Sequence, residues 1–562
     1  MIDEDDDDAV EYRADHIELD ELERITAETE FYSGVVKKLM SRGSKVIVGP
    51  RGVGKTHHMR IAYKKCISST NKPLPIYVSF SKYLRLEPLK NQSAIAIQFF
   101  HCWILCKILT GLKATLVSLS LPDDQLPVLS AELEWKQVSK FCDQIEKQQK
   151  LDWHDDLLES ISVSFVTATI ERFISTVNRK HCVLLCDDAA LVLTQDYMIE
   201  FMDVFRALKS VKISPKASVY PNTEFGPRFH LGHDAEPVSC WPSLLDDGYE
   251  NLFDEIYKKR FKHEIGDNVK SCFIYASFGV PRAFINLVNQ FNTSNGTEQK
   301  RVNTVIERQA KLITDEYLSQ ANKQPQFKEY VQAGNALLEE IVKEISLENK
   351  KALKHNEKQI ILGIKQGAPS RNIDIIIRFL EETGLLQKET TVKHGDNRIY
   401  DRYIPHFTLL IEEGAFQVGR SGYVSTFKDS ISCKRKKHPL RKKSFHEFDK
   451  TGILDGVSLD LPKCSNCDQP RISENQKFCM NCGVELINRS TFETLIETEV
   501  ENLPLTDWQK AKIKDETKVK TIGDIVMHTN PGQELMKAKG IGKYKASKVI
   551  SDATKWMDEY LS

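Results

Sequence analysis

The sequence GPRGVGKT occupies residues 49–56 and directly follows the short apolar run KVIV. It matches the pattern G-x-x-x-x-G-K-[ST], in which glycines let the backbone wrap around a polyphosphate and turn its N–H groups inward. Such a loop needs a strand before it and a helix after it, and the surrounding sequence offers both in that order. The motif therefore predicts an α/β fold with a phosphate-binding loop at the end of a core strand.

Within this loop, some residues shape the backbone and others contact the ligand. Lys55 is expected to reach the β- and γ-phosphate oxygens, and Thr56 to ligate Mg²⁺ at the N-terminus of the following helix. The pattern thus predicts ATP and Mg²⁺ as cofactors. The residues expected to surround the nucleotide are Gly49, Pro50, Arg51, Gly52, Val53, Gly54, Lys55 and Thr56.

A second candidate element is the apolar run VLLC at residues 183–186, which ends in Asp187 and Asp188. A continuous apolar run is typical of a buried central strand that delivers carboxylates to the C-terminal edge of a parallel sheet. Asp187 is expected to hold Mg²⁺ through its water shell, and Asp188 is in position to polarise an attacking water as a general base. Glutamate is the more usual base, so the shorter Asp188 leaves the rate of hydrolysis open.

Two further segments follow in the order that a nucleotide-binding core would need. Residues 216–221 (KASVYP) predict the next core strand, which is followed by Asn222 and Thr223. A turn built from Pro-Asn-Thr would explain the same residues. Farther along, FGVPR at residues 278–282 precedes a predicted helix and carries Arg282.

The order of GPRGVGKT, LLCDD, KASVYPNT and FGVPR resembles that of AAA+ ATPases of the origin-recognition initiator type, and it is also similar to the STAND signalling ATPases. The resemblance covers residues 21–415 and implies that ATP binds between the α/β core and a helical lid. It implies that Asn222 and Arg282 are the two sensors of the γ-phosphate. It also implies that hydrolysis can require an arginine from a neighbouring subunit of a homo-oligomer, with Arg228 and Arg260 as equal candidates.

Four cysteines near the C-terminus, Cys464, Cys467, Cys479 and Cys482, form a C-x2-C-x11-C-x2-C pattern, and Gly483 follows the last of them. Two such knuckles let four thiolates converge tetrahedrally on Zn²⁺. Because protein ligands would fill all four positions, the zinc would be structural. The segment has too little apolar mass to fold alone, so metal binding would supply its stability. Ribbons of this kind bind DNA, RNA or protein, and the sequence leaves that choice open.

The segment KAKGIGKYKASKVISDA contains Gly540 and Gly542, which are spaced for a tight turn between two helices. It resembles a helix-hairpin-helix element. In that family the backbone N–H groups of the hairpin face a DNA phosphate, and Lys543 and Lys545 would add positive charge here without reading sequence. A helical protein-interaction module of the same shape is the alternative.

A winged helix is predicted between the lid and the C-terminal modules. Two short helical patterns at residues 359–366 and 372–380 flank the break GAPS, and polar strands at 390–392 and 398–403 follow around the turn HGDN. Lys393 and Arg398 at this hairpin would contact DNA phosphates. The second helix is rich in isoleucine and poor in basic residues, so a structural or protein-binding role stays equally open.

The 562 residues predict about three to five domains. Strand-like runs that alternate with helical patterns indicate a multi-domain chain built on an α/β core with a parallel sheet. The basic run KRKKHPLRKK at residues 434–443 fits a nuclear signal, a phosphate-binding stretch or a solvated linker. The predicted units are an acidic disordered tail at 1–20, a P-loop NTPase core at 21–240, a helical lid at 241–325, a winged helix at 326–415, a basic linker at 416–458, a zinc ribbon at 459–490 and an all-α helix-hairpin-helix module at 491–562.

Charge and hydropathy bear on the compartment. The net charge of -1 combines an acidic start at residues 3–8 with the basic run, so any nucleic-acid contact must be local. The sequence indicates no apolar stretch of the roughly 18 to 20 residues that span a bilayer, and its acidic start does not resemble a signal peptide. The scattered cysteines are typical of a reduced compartment. We therefore expect a cytoplasmic protein without a membrane partner.

Two functions from different classes account for these parts. The first is an ATP-hydrolysing AAA+ protein that engages DNA without sequence specificity through its C-terminal modules, in DNA replication, DNA maintenance or antiviral (phage) defence. The second is a nucleotide-gated, STAND-like signalling switch that binds a partner effector protein and turns over little ATP. The short Asp188 and the STAND-like GVPR at residues 279–282 favour the second function, in which the C-terminal modules would sense a protein or a nucleic acid.

Overall fold

The centre of the molecule is a five-stranded, all-parallel sheet with strand order β2-β3-β4-β1-β5. The strands are β1 (Lys45–Val48), β2 (Leu74–Ser79), β3 (Cys182–Asp187), β4 (Ile213–Val219) and β5 (Glu236–Ser239). The computed structural model describes residues 14–81, 86, 96–120, 134–146, 155–189, 195–367, 370–393, 395, 398–417, 422–461, 463–464, 466–472, 476, 478–486, 495–528 and 530–561.

Both faces of this sheet are covered, which explains why its strands are continuous apolar runs. Neighbouring residues on a strand point to opposite faces. Val46 and Leu184 accordingly belong to one apolar cluster, and Ile47 and Leu185 belong to another. The helices of this core are α1 (Leu19–Arg24), α2 (Glu30–Met40), α3 (Lys55–Ile67), α4 (Ala96–Ser118), α5 (Trp135–Glu146), α6 (Asp155–Ser160), α7 (Val163–Thr176) and α8 (Gln195–Ala207).

Helix α4 corrects the expectation that no apolar stretch has membrane-spanning length. By length and composition alone, it is the one described helix that could cross a membrane, and 61% of its most apolar window is buried inside the protein. Trp103 and Leu109, for example, are fully buried in the cluster that covers β2. Helix α4 therefore has the features of a core helix.

A second unit follows the α/β core and is mostly helical, with a small mixed sheet of order β11-β7-β9-β8. Its hairpin of β8 and β9 is antiparallel. The elements are α9 (Tyr249–Arg260), α10 (Asp267–Ala276), α11 (Pro281–Thr293), α12 (Glu298–Lys323), α13 (Lys328–Leu353), β6 (Glu357–Lys358), β7 (Leu362–Lys365), α14 (Arg371–Glu382), β8 (Leu386–Lys393), β9 (Ile399–Pro405), α15 (Phe407–Glu412), α16 (Phe427–Ser432), β10 (Lys434–Arg435) and β11 (Leu440–Lys442).

One predicted helix in this unit is wrong. Residues 359–366 read as a helical pattern, but Leu362–Lys365 form strand β7, between β9 and β11. A short apolar run suits either state, and pairing on both sides decides for the strand here. The predicted second helix is present as α14, whereas the turn HGDN lies largely outside the described residues.

The segment expected to be a basic linker is instead folded within this unit. Strand β10 pairs with β6, and β11 adds to the small sheet beside β7. Phe427, Phe445 and Phe448 are buried in the main apolar cluster. Hydropathy gave little signal because these apolar residues are spread between lysines and arginines. The exposed lysines and arginines between them belong to an ordered surface.

We expect Phe445→Ala to destabilise this unit by about 3 kcal/mol, the lower end of the cost of deleting a buried phenylalanine side chain. Its ring is buried and lies 5.4 Å from that of Tyr403, centroid to centroid. Urea unfolding of the full chain is the measurement. Phe478→Ala is the control, because Phe478 is 59% exposed and should change stability little. Equal stability of the two variants would mean that the segment is a linker after all.

The C-terminal part forms a small helical module with its own apolar core. Ile513, Val519, Ile522, Leu535 and Val549 are fully or almost fully buried in that core. The short helix α17 (Ile453–Gly456) precedes the four-cysteine segment. The helices of the module are α18 (Asp507–Glu516), α19 (Gly523–Val526), α20 (Pro531–Leu535) and α21 (Lys543–Leu561).

Candidate functional site

The glycine-rich loop joins β1 to α3 and needs its glycines for steric reasons. Gly52 and Gly54 have φ angles of 80° and 95°, which L side chains rarely adopt. A Cβ on Gly49 would lie 2.7 Å from Val53 Cγ1 and 2.8 Å from Cys240 Sγ. The path of the backbone through this loop therefore requires glycine at these positions. The N-terminus of the 13-residue helix α3 follows directly and offers unpaired backbone N–H groups with a positive dipole.

A cavity of about 570 Å³ lies in front of this loop. Residues of the loop line it together with Ser79, Asp188 and Tyr220, which lie at the C-terminal ends of β2, β3 and β4. Ligands of open parallel sheets bind at such an edge. Among the described residues, the lining includes two carboxylates, those of Asp15 and Asp188, and six basic side chains, those of Arg51, Lys55, Arg60, Arg260, Arg282 and Lys555. The excess of basic groups suits a polyanionic ligand.

Lys55 folds back onto its own loop. Its ammonium group donates hydrogen bonds to the carbonyl oxygens of Gly49 (2.6 Å) and Pro50 (3.0 Å), and it lies 4.2 Å from the centre of the Tyr220 ring. Burial lowers the pKa of Lys55 to about 8. The same side chain could exchange these carbonyl oxygens for the oxygens of a phosphate, which carry more charge.

The two neighbouring aspartates have different environments. Asp187 is buried and accepts hydrogen bonds from the hydroxyl groups of Tyr77 (2.8 Å) and Ser218 (3.0 Å). Asp188 has a left-handed backbone with φ of 53°, lines the cavity and accepts a hydrogen bond from Ser79 (3.3 Å). Burial, and then the charge of Asp187, raises the pKa of Asp188 to about 7. Asp188 is thus the carboxylate that meets the cavity, and Asp187 lies behind it.

Sequence reasoning missed the hydroxyl groups that hold this pair. Ser218 accepts a hydrogen bond from the backbone N–H of Asp188 (2.9 Å) while it donates to Asp187. Tyr77 and Ser218 lie on β2 and β4, the two strands that flank β3. A polar residue within an otherwise apolar predicted strand is the signal that could have identified them.

Arg282 lies at the start of α11, directly against the loop. Its backbone N–H donates to the carbonyl of Gly52 (3.4 Å), and its side chain lines the cavity. The structure distinguishes the two candidates for an arginine that acts on a neighbouring subunit. Arg260, at the end of α9, lines the cavity of its own chain, whereas Arg228 is 67% exposed and pairs with Asp203 (2.9 Å).

Asn222 does not lie where the expected sensor of the γ-phosphate would be. Strand β4 ends at Val219, and Tyr220 is the residue from this strand end that lines the cavity. Asn222 has turned away, with φ of 57°, and its side-chain amide donates to the carboxylate of Glu381 on α14. Asn222 therefore joins the α/β core to the second unit and is not among the residues that line the cavity.

Four cysteine side chains come together in the segment before the C-terminal module. The Sγ atoms of Cys464, Cys467, Cys479 and Cys482 all lie within 4.8 Å of one another, with two pairs at 3.5 Å. A tetrahedral zinc site with Zn–S bonds of about 2.3 Å requires S–S distances of about 3.8 Å. Hydrogen bonding from the backbone N–H of Val484 lowers the pKa of Cys482 to about 6, which favours a thiolate ligand. At Cys467 the backbone of Gln469 lowers the pKa, but burial and the neighbouring thiols of Cys482 and Cys479 raise it overall to about 11. The cluster has the chemistry and spacing of a structural zinc site.

The glycine turn near the C-terminus precedes α21. Gly540 has a φ of 91°, and a Cβ there would lie 3.0 Å from the Trp508 ring. Lys545 lies 4.6 Å from the centre of the same ring, and Lys543, Gly542 and Lys545 are exposed. The turn presents positive charge and backbone groups to solvent.

This chain matches no protein-family model and no curated protein sequence. Its candidate function therefore depends on the geometry of its own residues.

Proposed function

We propose that this protein binds ATP with Mg²⁺ in the cavity beside the glycine-rich loop, hydrolyses it as an AAA+ type P-loop ATPase, and engages DNA through its C-terminal modules. The observation that carries this proposal is the cavity itself. It joins a glycine loop, a helix N-terminus and the carboxylate of Asp188 at one edge of a parallel sheet, with six basic residues around them among the described residues. A polyphosphate would balance the excess of positive charge in this lining.

The residues present fit a nucleoside triphosphate. Lys55, Arg282 and the N–H groups at the start of α3 would bind the phosphate oxygens. Thr56 lines the cavity and would hold Mg²⁺ directly. Asp187, expected to hold Mg²⁺ through its water shell, is instead buried behind Asp188 outside the cavity lining, and its two carboxylate oxygens accept hydrogen bonds from Tyr77 and Ser218. A bound Mg²⁺ ion would neutralise charge that develops on the phosphates.

Asp188 is the residue that would orient and deprotonate the attacking water. It faces the cavity, and a pKa of about 7 lets it exist as both base and acid near neutral pH. Its side chain is one methylene shorter than the usual glutamate. The left-handed backbone of Asp188 changes the direction in which this shorter side chain leaves the strand.

We expect Asp188→Asn to slow ATP hydrolysis by about 100-fold or more, the typical contribution of a general base, while ATP affinity changes little. The amide keeps the shape of the side chain but cannot accept the proton. Phosphate release and titration calorimetry with Mg-ATP are the two measurements. Asp267→Asn is the control, because Asp267 is 72% exposed, pairs with Lys428 and is not among the residues that line the cavity. Hydrolysis at the wild-type rate in the Asp188→Asn protein would show that Asp188 is not the general base.

We propose that DNA contacts two surfaces on which exposed lysine or arginine side chains lie at a turn or a hairpin. The turn at Gly540 and Gly542 offers backbone groups, with Lys543 and Lys545 beside it. Lys393 and Arg398 are exposed at the hairpin of β8 and β9, a unit that we interpret as a winged helix. Such groups bind phosphates in a salt-dependent way and do not select a sequence.

A second candidate function is a nucleotide-gated switch with little turnover. The observation that favours it is the contact between α14 and the nucleotide loop. A Cβ on Gly384 would lie 3.2 Å from Pro50, Asn222 bonds to Glu381, and Arg378 pairs with Glu224. The second unit thus touches Pro50 of the glycine-rich loop and the turn that follows β4. Tight nucleotide retention with slow turnover that DNA does not change would favour this function.

A further inference from the structure

The last helix of the chain, α21, reaches from the C-terminal module to the α/β core. Met557 is fully buried in the same apolar cluster as the sheet residues Val46 and Leu184. Trp556 packs against both that cluster and the core of the module. Leu495, which precedes the module, is buried in the same cluster. The module is therefore docked on the α/β core through a small set of apolar side chains.

This docking brings a lysine to the candidate nucleotide site. Lys555 precedes Trp556 and lines the cavity that also contains Lys55 and Arg282. Lys555 is exposed, so it lies at the opening of the cavity. The C-terminal module thus contributes one residue to the lining of the cavity beside the glycine-rich loop, which begins at Gly49.

The charge of the cavity indicates what this lysine would contact. In the described part of the chain, six basic residues, Lys555 among them, line the cavity with two carboxylates. A cation next to other cations is unfavourable unless an anion lies between them. The negative charge of a polyphosphate would attract these cations and offset the repulsion between them. Lys555 would be one of the residues attracted.

We propose that Lys555 is a phosphate-binding residue of the nucleotide cavity, supplied by the C-terminal module of the same chain. This inference rests on the proposed nucleotide binding. Binding of ATP would then strengthen the docking of α21, and by thermodynamic reciprocity anything that draws the module away would weaken ATP binding.

Helix α21 provides the physical link for this coupling. It begins at Lys543, next to the glycine turn proposed to contact DNA, and Lys555 lies twelve residues later in the same helix. At 1.5 Å per residue the two lysines are about 18 Å apart along a rigid rod. A DNA phosphate bound at one end of α21 would therefore bias the position of Lys555 at the other end.

The test compares Lys555→Ala with Lys548→Ala in the full chain. Lys548 is an exposed lysine of the same helix that is not among the residues lining the cavity. We expect Lys555→Ala to weaken Mg-ATP binding about fivefold, the size of one partly exposed charge contact, and AMP binding less. Lys548→Ala should bind like wild type, and Lys555→Arg should retain affinity. Titration calorimetry with ATP and AMP measures all four proteins.

Hydrogen exchange gives a second readout that depends on docking. Amides of residues 549–557 should exchange more slowly when ATP is bound to wild type, and this protection should shrink in Lys555→Ala. If Lys555→Ala binds ATP as tightly as Lys548→Ala and shows equal protection, Lys555 is not a phosphate ligand, although nucleotide binding stands. If wild type itself does not bind ATP, the proposed function fails and this inference fails with it.

Discussion

Replacing Lys55 with alanine is expected to weaken ATP binding by about 100-fold or more, equal to ~2.7 kcal/mol. Lys55 is a partly buried cation of the loop, and its ammonium group already donates hydrogen bonds to two carbonyl oxygens of that loop. A charge-assisted hydrogen bond to phosphate in such a place is worth more than one at the surface. Titration calorimetry with Mg-ATP, or fluorescence of a labelled ATP analogue, measures the loss.

Lys37→Ala is the matched control for this variant. Lys37 is an exposed lysine on α2, outside the cavity lining. It should leave ATP affinity unchanged, and the circular dichroism of both variants should match wild type. Undiminished ATP binding by the Lys55→Ala protein would mean that nucleotide binds elsewhere or that the loop is not a phosphate site.

Removal of zinc is expected to unfold the four-cysteine segment as a unit while the α/β core stays folded. Small zinc domains obtain essentially all of their folding free energy from the metal, about 10 to 16 kcal/mol in peptides at neutral pH. Residues 463–486 include exposed apolar side chains such as Ile472 (76%), Phe478 (59%) and Met480 (76%), so burial supplies little stability here. Hydrogen exchange before and after chelation measures the loss of protection, and elemental analysis measures the metal.

Cys464→Ser should reproduce the effect of chelation. Cys433→Ser is the control, because Cys433 is partly exposed and lies outside the cluster. We expect about one zinc per chain in the control and a large loss of zinc in Cys464→Ser. Protein purified without zinc that is equally protected in this segment would contradict the structural role of the metal.

Local patterns identified the elements whose chemistry depends on adjacent residues. The glycine spacing of the loop, the carboxylates at the end of β3 and the paired cysteines could all be read from the sequence, because each works over a few residues. Arg282 was also identified, and it lines the cavity. The glycines are required by the backbone path of the loop itself, and the other residue types are recognisable by their chemistry and spacing.

Features that depend on long-range packing could not be read in this way. The turn after β4 directs Asn222 to Glu381, a residue 159 positions away. Strand β7 reads as a helix until its neighbours β9 and β11 are known. The aromatic residues that fold the basic segment 434–443 onto the second unit lie outside the run itself. Nothing local to Lys555 indicates that Met557 and Trp556 dock it at the cavity.

The central claim is that ATP hydrolysis in this cavity is coupled to DNA, and one measurement tests it most directly. ATP hydrolysis should be followed with and without single-stranded and double-stranded DNA, for wild type and for a Lys543→Ala, Lys545→Ala double variant. We predict that DNA stimulates hydrolysis by wild type and that the double variant keeps its basal rate but loses most of the stimulation. Hydrolysis that no DNA changes, in a protein that binds ATP, would contradict the account and leave the nucleotide-gated switch as the better explanation.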